Sequence, residues 1–584
     1  MINIRKLETD LWESADLLRQ GSKLTSSQYC MPVLALLFLR YAYSRYKLVE
    51  AEIMKNRPSR GGRIMPVEPS GFAAKSALYL PREAQFDFLV NLPDHIASVG
   101  LKDKGGQPIN SLGEAVNNAM QLVEEQSAQL PGGLPKTYTM FADDLLRELL
   151  RIFNNETIDE IGGDIIGRIY EYFLSKNANT QMTFFGQEKV EYNAQLCLMN
   201  MAVHGLNGRI VSGDEANSFY HDAFNLAGKC DYVIANPPFN VDKVKSESVS
   251  SAGRLPFGLP GVNAKTKEIG NANYLWINYF YAYLNDHGRA GFVMASSATD
   301  SSNKDRDIRE QLVKTGHVDV MVSVGNNFFY TLSLPCSLWF FDKSKREENC
   351  DKVLFIDARK YYTVVDRTLN EWTEWQLLNL QAIVHLYRGE TDKYQALLGK
   401  YNHDISEAVN SISEEALLFA SLLDNETAGQ FNSSLAWLNC PWNNYDELSK
   451  SLNGQIEQTK SCVKLAEERL KKRELKSMRL AGDKFCNVLE DILTIIEEHE
   501  WLTGKFGKGE YNDIAGLCKI ATLDEIEEKN YSLTPGVYVG VPEAEDDGVD
   551  FQERMNEIHA ELAKLHEEAN VLMMDILNDW ETLK

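Results

Sequence analysis

The clearest chemical signal in the chain is a tetrapeptide that directly follows the apolar run of residues 232–235. It consists of Asn236, Pro237, Pro238 and Phe239. Prolines lack an amide hydrogen and fix φ, so the segment predicts that the chain leaves a strand in a rigid, extended turn. The turn would present two acceptors, the side-chain carbonyl of Asn236 and the backbone carbonyl of Pro237. A planar exocyclic amine such as that of adenine carries two N–H donors that match them.

Such a turn would activate an amine for methylation. Holding both amine hydrogens turns the nitrogen lone pair out of conjugation and toward an electrophile, such as a methyl group on a sulfonium. Phe239 would offer a face on which a base flipped out of its duplex could stack. As a bare tetrapeptide, the segment is as often only a strand-terminating turn, because Asn-Pro is a common turn dipeptide. The preceding strand and two upstream acids favour the chemical interpretation.

Those two acids, Glu188 and Asp214, each follow a short run typical of a strand, at residues 183–187 and 210–213. An acid at the tip of the second strand of a nucleotide-binding sheet can accept hydrogen bonds from ribose hydroxyls, a role that suits Glu188. Asp214 could accept from the adenine amine of the same cofactor. Alone, each acid is more often a solvated loop residue. Their order along the chain, ahead of Asn236, supports the nucleotide-binding interpretation.

The elements that would position these residues form an α/β pattern over residues 158–357. Short apolar runs alternate there with helical segments, which is typical of a sheet buried on both faces. The predicted strands are residues 209–212, 232–235, 290–294, 318–324, 337–341 and 353–356. A segment with helical spacing, residues 274–284, is predicted to cover the sheet.

Both flanks of this region are predicted to be helical. Leucines recur at helical intervals in the first 150 or so residues, and helical periodicity returns beyond about residue 370. Near the carboxyl end, apolar residues recur at the a and d positions of a heptad. This heptad seam predicts packing against a partner helix, in this chain or in another subunit. The seam consists of Met555, Ile558, Leu562, Leu565, Ala569, Leu572 and Ile576.

Composition bounds the possible functions. The 584 residues include 44% hydrophobic ones, enough for several domains, and the net charge of −24 argues against coating nucleic acid with a basic surface. Two basic clusters, at residues 57–63 and 469–479, could still contact phosphate locally. For the first cluster, a solvated loop without such a contact is the commoner interpretation. Nine cysteines without a C-x-x-C pair suggest neither a zinc site nor a disulfide framework. We expect a cytoplasmic protein without metal, signal peptide or membrane span.

In several segments, the chain resembles the methylation (M, or HsdM) subunits of Type I restriction-modification systems, which are adenine-N6 DNA methyltransferases. The resemblance covers most of the chain. Besides the Asn-Pro-Pro-Phe turn, it rests on residues 7–12 (LETDLW), 38–41 (FLRY), 167–174 (GRIYEYFL), 186–189 (GQEK), 271–276 (NANYLW), 291–295 (GFVMA), 516–519 (GLCK) and 535–540 (PGVYVG).

The resemblance implies a Rossmann-like methyltransferase domain dependent on S-adenosylmethionine, flanked by helical amino- and carboxyl-terminal regions. The expected boundaries are residues 1–155, 156–370 and 371–584. By the same resemblance, Asn236, Pro237, Pro238 and Phe239 bind the target adenine. Glu188 would bind the ribose of the cofactor and Asp214 its adenine.

The family also implies partners. These are a specificity subunit that reads the duplex DNA, a second M subunit joined through carboxyl-terminal helices, and a restriction subunit where the system has one. The chain has no G-x-x-x-x-G-K-[ST] loop, so translocation and cleavage of DNA would belong to other subunits.

One departure from the family pattern concerns the cofactor. The family places a Phe-Thr-Pro segment and a glycine-rich Asp-Pro-Ala-Cys-Gly-Ser-Gly-Gly loop ahead of the Gly-Gln-Glu segment. Only eleven residues, 175–185, separate Leu174 from Gly186 here, whereas a βαβ unit takes about 30. We therefore expect the sheet to lack its first strand. The abrupt junction at residues 177–181 favours a discrete excision, natural or introduced, over gradual divergence.

Two other functions compete with an active DNA methyltransferase. The chain could be a catalytically silent, M-like scaffold that holds the specificity subunit without binding cofactor. Alternatively, it could methylate a protein glutamine or an RNA guanine amine, since Asn-Pro-Pro turns serve such amines too. The large helical flanks and the heptad seam favour a DNA-modifying assembly.

Overall fold

A computed structural model shows the chain as two compact units, each with its own core. The first unit consists of Met1–Ala227 and Lys245–Gly253, and the second of Gly228–Val244 and Arg254–Lys584. The structure describes residues 26–55, 59–60, 63–64, 68–75, 77–127, 130, 132–154, 182–203, 206–329, 333–439, 444–467, 472–541 and 551–582. The family-like segments at 7–12 and 167–174 and the junction at 177–181 lie outside these residues.

Sixteen α-helices occur in the described residues. They are α1 Ser26–Lys55, α2 Pro69–Ala73, α3 Phe86–Val90, α4 Leu112–Gln126, α5 Asp143–Phe153, α6 Glu191–Val203, α7 Ser246–Ala252, α8 Asn273–Tyr283, α9 Lys304–Lys314, α10 Glu374–Tyr387, α11 Thr391–Ala420, α12 Asn425–Ser434, α13 Tyr445–Glu467, α14 Lys472–Phe506, α15 Leu523–Glu528 and α16 Phe551–Thr582.

Fourteen strands accompany them in the same residues. They are β1 Ser59–Arg60, β2 Arg63–Ile64, β3 Phe184–Glu188, β4 Gly208–Ser212, β5 Cys230–Ala235, β6 Val244–Lys245, β7 Glu268–Ile269, β8 Leu284–Ala295, β9 Val318–Val324, β10 Cys336–Asp342, β11 Lys352–Asp357, β12 Thr363–Val364, β13 Asn370–Glu371 and β14 Cys518–Thr522.

The first unit begins with a helical core, as the sequence predicts. Helix α4 starts where the Ser111 side chain accepts a hydrogen bond from the Glu114 amide, which satisfies one of the free donors at a helix start. Tyr138, fully buried, donates from its hydroxyl to the Pro32 carbonyl at 2.7 Å and so ties α1 to the rest of this core. After it come β3 and β4, a parallel pair joined through α6.

The second unit is built on a six-stranded sheet with strand order β14-β11-β9-β10-β8-β5. Strand β5 runs parallel to β8, and β9 runs parallel to β11, while β10 is antiparallel to both of its neighbours. The carboxyl ends of β5, β8, β9 and β11 therefore meet at one edge of the sheet. Ligands bind at that edge in open α/β sheets.

Helices cover the two faces of this sheet. On one face, Phe280 of α8 packs against Phe292 of β8, with ring centroids 4.9 Å apart. On the other face, Leu380 and Ile383 of α10 pack in one apolar cluster with Val320 of β9 and Leu354 of β11. The predicted α/β class with helical flanks is confirmed, and all six predicted strands are present.

The carboxyl-terminal region differs in one respect from the sequence prediction. Residues 371–584 were expected to be helical, yet residues 518–522 form β14, which pairs antiparallel with β11. Helices α10 to α14 thus form an excursion between two neighbouring strands of the sheet. The domain boundaries at residues 155 and 370 stay predictions.

The heptad seam lies on α16, where Leu562, Leu565 and Leu572 are exposed. Its partner helix remains a prediction. Of the two basic clusters, Lys476 and Arg479 are exposed, and Arg57 lies outside the described residues. No helix in the described part of the chain is long and apolar enough to span a bilayer.

Candidate functional site

The Asn-Pro-Pro-Phe turn leaves the sheet at the carboxyl end of β5, as predicted. Pro237 is buried, Asn236 is exposed and Phe239 is half-buried. The Pro238 carbonyl accepts a hydrogen bond from the indole nitrogen of Trp276, on α8, at 3.3 Å. Because α8 packs on the sheet, this bond fixes the turn against a rigid element and leaves the Asn236 side chain facing solvent.

Asn240, directly after the turn, provides a second attachment to α8. Its amide donates to the Asn273 side chain at 2.9 Å, and its side-chain oxygen accepts from Asn271 and Asn273 at 3.0 and 2.9 Å. Its φ of 55° lies in the left-handed region, which asparagine tolerates better than most residues. The family-like segment 271–276 therefore has a structural role, which is to hold the turn.

A second aromatic ring stands beside Phe239. The ring of Phe329 lies edge-on to that of Phe239, with centroids 6.3 Å apart and an interplanar angle of 75°. Phe329 follows β9, whose carboxyl end shares the sheet edge with that of β5. Sequence reasoning missed Phe329. The available signal was its place five residues beyond the predicted strand at residues 318–324, in the Gly325-Asn326-Asn327-Phe328-Phe329 segment.

The loop that carries Phe329 is itself fixed. Asn370, at the start of β13, donates from its backbone amide to the Asn327 carbonyl at 2.7 Å and from its side chain to the Asn326 carbonyl at 3.0 Å. Phe328 packs on Trp372 with ring centroids 4.9 Å apart. The two aromatic rings at the turn are thus supported from both β5 and β9.

Glu188 and Asp214 belong to the first unit, where they lie at one edge of the β3-β4 pair. Glu188 ends β3 opposite Ser212 of β4, and Asp214 follows β4 by two residues. One carboxylate oxygen of Glu188 accepts from the Val190 amide at 2.8 Å, which leaves its second oxygen for another donor. Asp214 is exposed. The structure therefore brings these two acids to one sheet edge, whereas Asn236 to Phe239 belong to the second unit.

These residues suit only part of S-adenosylmethionine. Two carboxylates at strand ends match the hydroxyl and amine donors of a nucleoside. The amino-acid portion needs backbone N–H groups of a glycine loop at a helix start, and the sequence has none between Leu174 and Gly186. In the described residues β5 hydrogen-bonds with β8 and with no other strand. On its other side, these residues therefore include no strand that could carry such a loop. The residues present do not fit the whole cofactor.

Fold and turn together define a class, the α/β methyltransferases that act on exocyclic amines. Family models agree with this class. "N-6 DNA Methylase" matches residues 179–410 and "HsdM N-terminal domain" matches residues 7–153. The chain belongs to the family of Type I restriction-modification methylation subunits.

Relatives of the chain carry the same description. The Type I restriction enzyme MjaIX methylase subunit of Methanocaldococcus jannaschii is 25% identical, over 97% of this chain and 89% of that protein. The Type I restriction enzyme HindI methylase subunit of Haemophilus influenzae is 21% identical, over 82% of this chain and 94% of that protein. Among solved structures, a Type I methyltransferase subunit from Streptococcus thermophilus covers 65% of this chain and 92% of its own, at 15% identity and a TM-score of 0.46.

Proposed function

We propose that the chain is the methylation subunit of a Type I restriction-modification system, which transfers a methyl group from S-adenosylmethionine to adenine N6 in duplex DNA. The observation that carries this proposal is the Asn236–Phe239 turn, held by Trp276 at the carboxyl edge of the sheet with Phe329 beside it. A turn that only ended a strand would need neither an exposed amide nor a second aromatic ring.

The turn supplies the adenine side of the reaction. The Asn236 side-chain oxygen and the Pro237 carbonyl would accept the two N6 hydrogens, so that the nitrogen lone pair points away from the ring system. Phe239 would stack on the flipped base, and Phe329 would close its edge. Stacking of a base on an aromatic side chain contributes about 1–3 kcal/mol, enough to offset much of the cost of unstacking it.

The same function requires partners. With a net charge of −24, the chain would rely on other subunits for most of its attraction to DNA. We propose a specificity subunit and a second methylation subunit, with the exposed apolar seam of α16 as one of the joining surfaces. A restriction subunit would complete the system, and the cytoplasm is the expected compartment.

Methyl transfer to unmodified duplex DNA tests this proposal. The chain is assembled with its specificity subunit, both as it stands and with the strand missing from its sheet restored, and N6-methyladenine is quantified after digestion. We expect N6-methyladenine from at least one form. In the Asn236→Ala variant its yield should fall by at least about 100-fold, because the target amine is no longer oriented. Phe185→Ala, an exposed aromatic on β3, is the matched control. If both forms bind DNA and neither methylates it, the proposal is wrong.

A second candidate function is the silent scaffold. The observation in its favour is that β5, the strand leading into the turn, pairs only with β8 in the described part of the chain. Calorimetry with S-adenosylmethionine separates the two functions. A chain that assembles with the specificity subunit on DNA but takes up no cofactor in either form is a scaffold.

A further inference from the structure

A short loop beside the Asn236–Phe239 turn carries exposed lysines. It consists of residues 261–270, of which only two are not exposed. Lys265 and Lys267 lie in this loop, and Lys243 lies four residues after the turn. All three are exposed, and we refer to them as the turn lysines. Lysine is one of the two side chains that neutralise the phosphates of nucleic acids.

A hydrogen bond places the loop next to the turn. The Asn271 side chain, directly after the loop, donates to the side-chain oxygen of Asn240, directly after Phe239, at 3.0 Å. A chain advances at most about 3.6 Å per residue, so the Cα atom of Lys267 lies within about 14 Å of that of Asn271. By the same rule, the Cα atom of Lys243 lies within about 11 Å of that of Asn240. Both lysines are therefore close to the turn.

The loop has a conformation fixed by its own hydrogen bonds. Val262 and Ile269 form an antiparallel bridge at its base. The Asn263 side-chain oxygen accepts from the Lys265 amide at 2.9 Å, and the Asn263 carbonyl accepts from the Lys267 amide at 2.9 Å. Because the backbone of both lysines is already held, less conformational freedom is lost when their side chains bind a ligand.

Two of the turn lysines have an unusual backbone conformation. Lys243 and Lys267 have φ angles of 58° and 57°, in the left-handed region, which glycine and asparagine adopt at lower cost than lysine does. In the described part of the chain, nine non-glycine residues have a positive φ. Five of them are asparagines, and three are basic: Lys243, Arg254 and Lys267. Since the backbone favours other residue types at these positions, the lysine side chains themselves have a role there.

Acidic side chains neutralise little of this charge. Lys243 lies 3.9 Å from the Asp242 carboxylate, and both side chains are more than half exposed, so their attraction is weak in water. Lys265 forms no ion pair with any residue that the structure describes. By contrast, Arg359, which follows β11 at the same sheet edge, donates to Asp357 through two nitrogens. Positive charge therefore remains near the turn, in a chain whose net charge is −24.

We infer that the turn lysines bind phosphates of the DNA strand that carries the target adenine, next to the flipped nucleotide. This inference deepens the proposed function and rests on it. A flipped base reaches the turn together with its own sugar and phosphates, each of which carries a negative charge that lysine attracts. Such contacts fix the position of the strand and read no sequence. The turn lysines are thus positioning residues, which complement the specificity subunit.

The salt dependence of DNA binding tests the inference. The chain is assembled with its specificity subunit, and affinity for a duplex selected from random sequence is measured by fluorescence anisotropy between roughly 50 and 200 mM salt. Each phosphate contact contributes about 0.9 to the slope of log K against log salt concentration. Changing all three turn lysines to glutamine should lower that slope by about 2–3 and weaken binding at least about tenfold. An unchanged slope overturns the inference.

Two control variants separate phosphate contacts from other effects. The same three positions changed to arginine should keep the slope, because the charge is retained. Lys393→Gln, Lys508→Gln and Lys529→Gln combined remove three exposed lysines elsewhere in the second unit and should also keep it. An equal fall in this control would mean that only net charge matters, which contradicts the inference.

An acidic surface of another subunit is the alternative partner for the turn lysines. Size-exclusion chromatography of the glutamine variant with the specificity subunit tests it. We expect the complex to stay intact. Dissociation of the complex without a change of slope in the fraction that remains assembled would mean that the lysines bind protein, and the inference would be wrong.

Neutral phosphates locate the contacts. A methylphosphonate replaces each phosphate of the selected duplex in turn, and binding is compared between the unaltered chain and the glutamine variant. We expect two or three neighbouring positions, next to one adenine of one strand, at which the replacement weakens binding by the unaltered chain at least about threefold but leaves the variant unaffected. Equal losses in both proteins at every position contradict the inference.

The two proposals fail in different ways. If the complex methylates adenine but the glutamine variant keeps the slope, the proposed function stands and the phosphate contacts fall. If the neutral phosphates identify the lysine contacts but no form of the complex produces N6-methyladenine, the contacts stand and the proposed function falls.

Discussion

Strands β5 and β9 run in the same direction in one sheet and have similar apolar sequences, yet their environments are opposite. All seven residues of β9 are buried, whereas every residue of β5 is half-buried or exposed. Strand β9 lies between β10 and β11 under α10, and β5 has β8 on one side only in the described residues. The difference shows that neighbouring strands and helices decide burial, and that in the described residues the strand leading to the Asn236–Phe239 turn has a neighbouring strand on one side only.

The largest expected effect comes from placing the same charge at two positions of one row across the sheet, in which the register aligns Ile234, Gly291, Phe340, Val320 and Leu354. Val320→Asp puts a carboxylate into a site that is 1% exposed and should cost about 4 kcal/mol or more, or abolish soluble expression. Ile234→Asp, on the same face, should cost about 1 kcal/mol, within the range of strand propensities. Soluble yield and melting temperature by circular dichroism compare the two. Equal damage would mean that β5 is covered.

An intermediate effect is expected on self-association. Open apolar edges pair with other chains, so the double variant Tyr232→Lys, Ile234→Lys should reduce concentration-dependent association by roughly tenfold. Light scattering coupled to size-exclusion chromatography measures it. The pair Leu562→Lys, Leu565→Lys tests the seam of α16 in parallel. An unchanged association constant in the strand variant would show that the edge is already protected.

The smallest expected effect is on the pH dependence of stability. It concerns His317, which directly precedes β9, a strand with a neighbour on each side. Its Nδ1 lies 2.7 Å from the Tyr281 hydroxyl, and burial together with the charges of Lys343 and Lys345 lowers its pKa below 6.5. The unfolded chain therefore binds a proton that the folded chain resists, and stability should fall as the pH drops through about 6.5. His317→Asn should flatten this part of the stability profile. The exposed His287→Asn should leave it unchanged, and a slope that persists in His317→Asn would contradict the assignment.

Much of the fold follows from local patterns in the sequence. The mostly apolar runs at residues 318–324 and 353–356 are buried strands, because a largely apolar sequence suits a sheet covered on both faces. The turn at Asn236 was predictable because proline acts locally on the backbone. In each case, the physical cause lies within a few residues of the effect.

Other features depend on contacts between residues far apart in the chain. Strand β14 was missed because residues 518–522 are paired with β11 across an excursion of more than a hundred residues, which no local pattern reports. Phe329 was missed because its partner, Phe239, follows a different strand, 90 residues earlier in the chain. The absence of a first strand stays a prediction from the length between Leu174 and Gly186, and the exposure of Ile234 at the end of a row of five strands could be seen only from their register.

Hydrogen exchange of the unaltered chain tests the open edge most directly. In a parallel pair, about half of the amides of a strand point to each side, so an edge strand leaves about half of them to solvent. Peptides covering β5, Cys230–Ala235, should exchange about half of their amides within seconds, while peptides covering β9, Val318–Val324, stay protected. Equal, slow exchange in both strands would contradict the account, because β5 would then already have its missing neighbour.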